Sequence, residues 1–316
     1  MVAACVIPAV IAGCSGDHDV LSPHGTGAGR ISAIGWFMIA LSSVIALCFV
    51  GLLVWALVRG GSRPSWRSEH GLIVAGGIVL PLVVIAALTV LTLHGLSDRP
   101  TDGAEHVEVI GHQFWWEVRY PDREIVTANE LHVPVDRPVQ IELRSDDVIH
   151  SFWVPGLDGK IDMVPGQTNH LTIQATDIGT YRGQCAEYCG LQHAGMIFSV
   201  DVVSDADYET WARSAAAPAA EPTTASEEAG RQAFLDLPCA SCHTIEGTAA
   251  AGTAGPDLTH LAQRSSLGAG VVPNDRGHLG GWIVDAQALK PGSLMPAVPV
   301  EPAQLQALLD YLGSLS

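Results

Sequence analysis

Cys185-Ala-Glu-Tyr-Cys189-Gly-Leu-Gln-His193-Ala-Gly-Met196 gathers two thiols, one imidazole and one thioether within twelve residues. A further imidazole, His150, lies upstream in Asp147-Val-Ile-His150-Ser-Phe-Trp-Val-Pro155. These are soft and borderline donors, which suit copper or zinc and not magnesium or calcium. A mononuclear blue-copper site takes two His, one Cys and a weak Met, so a second thiol four residues on has no place in it. Two thiolates bridging a pair of copper ions, with one imidazole on each, would use both. The residues alone also allow a disulfide between Cys185 and Cys189, or half of a zinc site.

The full pattern C-x-E-x-C-x-x-x-H-x-x-M, preceded by D-V-x-H-S-F, resembles the dinuclear CuA centre of subunit II of the haem-copper cytochrome c oxidases. The resemblance runs from about Ile31 to Val203. It implies that Cys185 and Cys189 bridge the coppers and that His150 and His193 take one copper each. Met196 and the backbone carbonyl of Glu187 are then weak axial donors. The Glu187 side chain resembles the family's ligand to a magnesium ion at the contact with subunit I. A copper-delivery protein also uses a C-x-x-x-C pair and a distant His, but the six matching positions favour the oxidase family.

Around this centre the chain of 316 residues is long enough for about two domains with additions. Its net charge is −17, and only Lys160 and Lys290 are lysines. So acidic a chain does not bind nucleic acid, which needs a basic surface; it fits a basic docking partner such as a soluble cytochrome. Seven cysteines exclude a pure disulfide framework. Cys5 and Cys48 lie in apolar runs and read as small hydrophobes.

Residues 1–13 are short and apolar, like the hydrophobic part of a secretory signal. Ile11-Ala-Gly-Cys14 looks like a bacterial lipoprotein box with Cys14 as the lipid-modified residue, although the usual basic leader is missing. Residues 14–30 read as a flexible Gly-rich tether. Residues 31–58 and 72–94 are apolar enough to cross a bilayer, which takes about 20 residues. Arg59, Arg63 and Arg67 between them place the loop in the cytoplasm and both termini outside. That makes a multi-pass protein of the bacterial inner membrane, with its large domains on the extracytoplasmic face. Many family members carry a Glu seven residues before the proline of the second helix; Val74 stands there, and Glu69 lies further out.

From Glu105 the period becomes that of strands. His106 to Ile110, Phe114 to Tyr120, Val139 to Leu143, Leu171 to Ala175 and Ile197 to Val203 are β-branched or aromatic and bounded by Pro, Gly and Asp. They predict a small antiparallel sandwich or barrel over 97–204, which the resemblance identifies as cupredoxin-like. The ligand stretch is then a loop between late strands. Asp146 and Asp147 stand where one could orient His150, or could simply be a solvated turn. Gly111-His-Gln-Phe114-Trp115-Trp116 resembles the aromatic segment through which the family receives electrons, with Trp115 and Trp116 as candidates. Phe114 replaces a Trp of many relatives, and aromatics on strands usually pack in cores.

Residues 205–226, rich in Ala and Pro, read as an interdomain linker. Residues 227–316 follow as a small all-α domain. Cys239-Ala-Ser-Cys242-His243 is the C-x-x-C-H pattern of covalent haem c attachment, with His243 ligating the iron. Gly255-Pro256-Asp-Leu258 resembles the cytochrome c loop whose Pro carbonyl accepts a hydrogen bond from that imidazole. Lys290-Pro-Gly-Ser-Leu-Met295-Pro296 resembles the segment carrying the axial Met; His/Met ligation raises the haem potential. Glu227 to Leu237 and Pro302 to Leu315 read as flanking amphipathic helices. His260 and His278 lack the matching neighbourhood.

The resemblance implies subunit II of a terminal cytochrome c oxidase with a cytochrome c domain fused at its C-terminus. Electrons would pass from haem c to CuA and on to subunit I, where oxygen is reduced and protons are pumped. The implied partners are subunits I and III and a donor of the cytochrome c or quinol–cytochrome c reductase type. The same module could serve a nitric oxide reductase, and a membrane-tethered copper-delivery protein is the alternative of another class.

Overall fold

The computed structural model describes residues 16, 19–59, 66–95 and 103–316. The predicted signal, Cys14 and Arg63 lie outside the described residues. The chain divides into two compact units: Gly29–Pro100 is one, and Met1–Ala28 with Thr101–Ser316 is the other.

Helix α1 (Thr26–Arg59) supplies most of the first unit. A second helical stretch follows as α2 (Trp66–Val74), a π-turn (Ala75–Val79) and α3 (Leu80–Gly95). The π-turn sits immediately before Pro81, which has no N–H and whose ring crowds the preceding turn. Leu80 N–H accordingly donates to the Ala75 carbonyl, five residues back. Thr26–Arg59 and His70–Leu93 each have a mean hydropathy of 2.7, and none of the side chains in either apolar window is buried by protein. Large residues such as Leu47, Leu57 and Val58 lie open on them.

In the second unit, ten strands form two five-stranded sheets. One holds β1 (Glu105–His112), β2 (Trp115–Tyr120), β3 (Ile125–Ala128), β5 (Val139–Ser145) and β8 (Asn169–Ile173), in the order β3-β2-β1-β5-β8. The other holds β4 (Glu130–Pro134), β6 (His150–Trp153), β7 (Ile161–Met163), β9 (Gly179–Cys185) and β10 (Ile197–Val203), in the order β4-β10-β9-β6-β7. Alternate side chains point inward, as in Val139–Ser145, where every second residue is buried. Trp116, Tyr120, Ile141, Leu143, Phe152 and Met163 fill the space between the sheets. The expected sandwich is present, although it is not wholly antiparallel: β1 pairs with β5, and β4 with β10, in parallel.

Parts of two stretches expected to be irregular are ordered in this domain. Within the predicted tether, His24 and Thr26 N–H donate to the Gly156 and Gln174 carbonyls at 2.8 and 3.0 Å. Gly25 bridges Ala175 as a short antiparallel contact. A side chain on Gly25 would press on the Leu157 carbonyl, so the glycine serves close approach there and not freedom. The predicted linker begins with helix α4 (Asp205–Ala215), whose Tyr208 and Ala212 enter the sandwich core and whose Trp211 stacks on His132. Ser204 caps it by accepting from Asp207 N–H. Only residues 216–224 remain extended linker.

The C-terminal domain is helical, as expected. Helices α5 (Ala225–Asp236) and α8 (Pro302–Ser314) pack so closely that Gly230 has no room for a side chain against Ala307. Helices α6 (Arg276–Val284) and α7 (Ala286–Leu289) and a two-stranded hairpin, β11 (Ser266–Leu267) and β12 (Val272–Pro273), complete it.

Candidate metal and haem sites

Strand β9 ends at Cys185 and β10 begins at Ile197, so the ligand stretch is the connection between them. Its ends are drawn together by Cys185 N–H donating to the Met196 carbonyl at 3.0 Å. His150 opens β6, the neighbour of β9, with Phe152 opposite Cys185. The sheet therefore sets the spacing of ligands 35 residues apart. Gly111 lies over the His150 ring, where a side chain would come within 2.8 Å of it.

The donors converge. Cys185 Sγ is 3.8 Å from Cys189 Sγ, 3.9 Å from His150 Nδ1 and 3.1 Å from the Glu187 carbonyl. Cys189 Sγ is 3.7 Å from His193 Nδ1 and 3.8 Å from Met196 Sδ. Cys185, Cys189, His150 and Met196 are buried, and the two cysteines are free thiols. Two thiols, two imidazoles, a thioether and a carbonyl make a donor set that fits soft or borderline metal and no hard cation. Asp147 Oδ1 stands 2.8 Å from His150 Nε2. A carboxylate can only accept, so Nε2 carries the proton and the Nδ1 lone pair is left toward Cys185. Asp146 does not share this role; it lies 3.8 Å from His112 Nδ1.

The hydrogen bond with Cys189, against the opposing effect of burial, holds the Cys185 thiol well below its ordinary range. The Cys189 thiol is pushed up by the same hydrogen bond and by burial. Burial would lower the His150 imidazole, but hydrogen bonds with Cys185 and Asp147 outweigh it and raise it. Glu187 points its carboxylate outward, 3.6 Å from Lys160 Nζ.

The second site is a cavity of about 460 Å³. Cys239, Cys242, His243 and Met295 border it, within apolar walls that include Phe234, Leu279 and Leu308. Pro256 O accepts from His243 Nδ1–H at 2.7 Å, as the sequence predicts, and leaves the Nε2 lone pair free. Burial holds the imidazole below its ordinary range, and so neutral. Gly255 gives the ring room, since a side chain there would come within 2.6 Å of it. Arg264 also borders the cavity; it is buried, and its Nε lacks a hydrogen-bonding partner. An apolar cavity with two thiols, a neutral imidazole, a thioether and a buried guanidinium, which donates to the Asp257 carbonyl but leaves its Nε unpaired, fits haem, whose macrocycle is apolar and whose carboxylates would meet the Arg264 charge.

His260 and His278 do not border the cavity; His260 Nε2 bonds the Ala217 carbonyl and His278 bonds Asp275. Trp115 and Trp116 part company. Trp115 is half-buried, stacks on His112 and borders the cavity. Trp116 is fully buried in the sandwich core between Phe152 and Phe198, with its ring 6.1 Å from His150.

Residues 122–203 match the family described as cytochrome c oxidase subunit II, periplasmic domain, and residues 227–316 match cytochrome c. The cytochrome c oxidase subunit 2 of Alkalihalophilus pseudofirmus is 34% identical over 96% of this chain and 93% of its own length. The chain belongs to the cytochrome c oxidase subunit II family. That of Bacillus subtilis is 30% identical over 75% of this chain and 72% of its own. This subunit II is thus a membrane-anchored haem-copper oxidase component with a periplasmic domain, and its two matched domains imply copper and haem. Membership also implies association with other oxidase subunits.

Sequence reasoning did not find Gln113, Arg264 or the position of Lys290. Gln113 N–H donates to Asp147 and its Nε2 to the Cys189 carbonyl at 2.5 Å. A polar residue within an aromatic run was the available signal for Gln113. The other two gave none, because their roles depend on distant segments.

Proposed function

We propose that this chain is the electron-accepting subunit of a terminal cytochrome c oxidase, relaying electrons from its own haem c to a CuA centre and on to the haems of subunit I, where dioxygen is reduced to water with proton pumping. One observation carries the reading: the six donors of the motif converge around the buried Cys185 and Cys189, in the same folded unit as an apolar cavity bordered by Cys239, Cys242 and His243.

Cys185 and Cys189 would bridge two coppers, with His150 and His193 one on each and Met196 and the Glu187 carbonyl as weak axial donors. Cys239 and Cys242 would hold the haem by thioether bonds, with His243 and Met295 on its iron. Bound, both groups supply reversible one-electron storage. The chain's own part is position, burial and proton placement. Asp147 fixes the His150 tautomer, and the Pro256 carbonyl fixes that of His243. The sheets hold the thiols with little freedom to rearrange. From the cavity wall at Gln113 and Trp115, the Gln113 amide reaches the Cys189 carbonyl, so a continuous route of bonds joins the two sites.

The outward Glu187 carboxylate is available to a magnesium ion shared with subunit I. Tyr188 and Ile149, next to copper ligands, are exposed apolar side chains that suit a partner surface. The two apolar helices span the membrane, with the Arg59–Arg67 loop in the cytoplasm and Cys14 lipidated on the far side. Subunits I and III, and a cytochrome c or quinol–cytochrome c reductase donor, are the partners of this reading. Its test is Cys185→Ser in the assembled complex: the haem should still be reduced by ascorbate but should no longer be reoxidised with oxygen. Reoxidation at the wild-type rate would overturn the order of the relay.

A further inference from the structure

Lys290, one of the chain's two lysines, is 2% exposed. Its ammonium donates to three backbone carbonyls: Phe114 at 2.8 Å, Gly195 at 2.8 Å and Gly268 at 2.7 Å. Phe114 precedes Trp115 on the cavity wall, and Gly195 precedes Met196 in the copper loop. Gly268 belongs to the hairpin of the C-terminal domain. Three donors thus meet three acceptors from three segments, two of them in the other domain. A residue serving only the C-terminal fold would not reach the first two.

The surrounding interface is built for a fixed fit. Glu130, buried in the sandwich, accepts from both the N–H and the hydroxyl of Ser265 at 2.7 and 2.6 Å. Ile197 N–H donates to the Ala269 carbonyl, and Gln192 Nε2 to the Pro291 carbonyl. Gly270 and Gly292 take positive φ where a side chain would press within 2.9 Å of Ile197 and Leu191.

We propose that Lys290 is a positioning residue that locks the C-terminal domain onto the copper loop, so that the two sites keep one separation throughout turnover. This rests on the relay reading above. The fused domain then works docked, and the linker only raises its local concentration during assembly. The three carbonyls converge on a compact charge, so the planar fork of arginine does not replace it.

The test uses the assembled, membrane-bound complex with a protease site introduced in residues 219–223. After cleavage, the wild-type haem-bearing fragment should stay bound through a wash, whereas the Lys290→Met fragment should be released, with retention at least about tenfold lower, as losing a charged hydrogen-bonding group implies. Lys290→Arg should not restore retention. In parallel, haem-to-copper electron transfer after photoreduction should be independent of solvent viscosity in the wild type, and slower and viscosity-dependent in Lys290→Met. Equal retention and equal rates in Lys290→Met and wild type would overturn the proposal. Should Lys290→Met not mature, a wild-type rate that falls with viscosity overturns it unaided. A retained wild-type fragment whose haem never reduces copper would sink the relay and leave the lock standing.

Discussion

In the sandwich domain, donor atoms from two segments already stand 3.1–3.9 Å apart around Cys185 and Cys189. In the C-terminal domain, His243 and Met295 border a cavity of about 460 Å³. The copper domain has a core that extends well beyond its ligands: Trp116, Tyr120 and Phe152 are buried in the same cluster as Cys185, Cys189 and Met196. The haem domain has walls where a core would be, because Phe234, Leu279 and Leu308 belong both to its cluster and to its cavity. A pair of small ions can be held by a loop on a finished scaffold, whereas a macrocycle must be part of the scaffold's interior.

The strongest challenge to this contrast is removal of the haem attachment. Cys239→Ala with Cys242→Ala and His243→Ala should abolish cooperative unfolding of the C-terminal domain in calorimetry and leave the sandwich transition in place. A haem-free domain that still melts cooperatively would erase the distinction. Next in size, Trp116→Ala empties part of the sandwich core and should cost about 3–5 kcal/mol, read from denaturant unfolding of that domain. A cost under about 1 kcal/mol would mean the core relaxes around the loss. Asp147→Ala should weaken copper binding about 10- to 100-fold in competition with a chelator, while the sandwich stays folded. Unchanged affinity would show that the sheet alone orients His150. Smallest is Thr224→Ala. It breaks the capping box that Thr224 forms with Glu227 at the start of α5 and should lower C-terminal domain stability by about 1 kcal/mol.

What the sequence made legible follows the range of the interactions. Five of the six copper donors lie within twelve residues, and the haem thiols adjoin His243, so both sites are legible as motifs. Strand Ile197–Val203 is legible because its alternation is unbroken. Strand Gly179–Cys185 is not, since Gly179, Arg182 and Gly183 blur the pattern that its pairing with β10 restores. Helix Asp205–Ala215 hides in a stretch whose downstream Ala and Pro suggest a linker. Its Ser204 cap and the spacing of Tyr208, Trp211 and Ala212 were the signals present. The Gly-rich segment before the first helix reads as a tether because close packing and flexibility leave the same residue in the sequence. The bond from Lys290 to Phe114 spans 176 residues and has no local trace.

The central claim is that one polypeptide carries a copper pair on Cys185 and Cys189 together with a covalently held haem. Metal analysis with electron paramagnetic resonance on the purified protein tests it most directly. The account predicts two coppers and one iron per chain, with a single unpaired electron spread over both copper nuclei. Zinc in place of copper, or one copper with a localised electron, would contradict it.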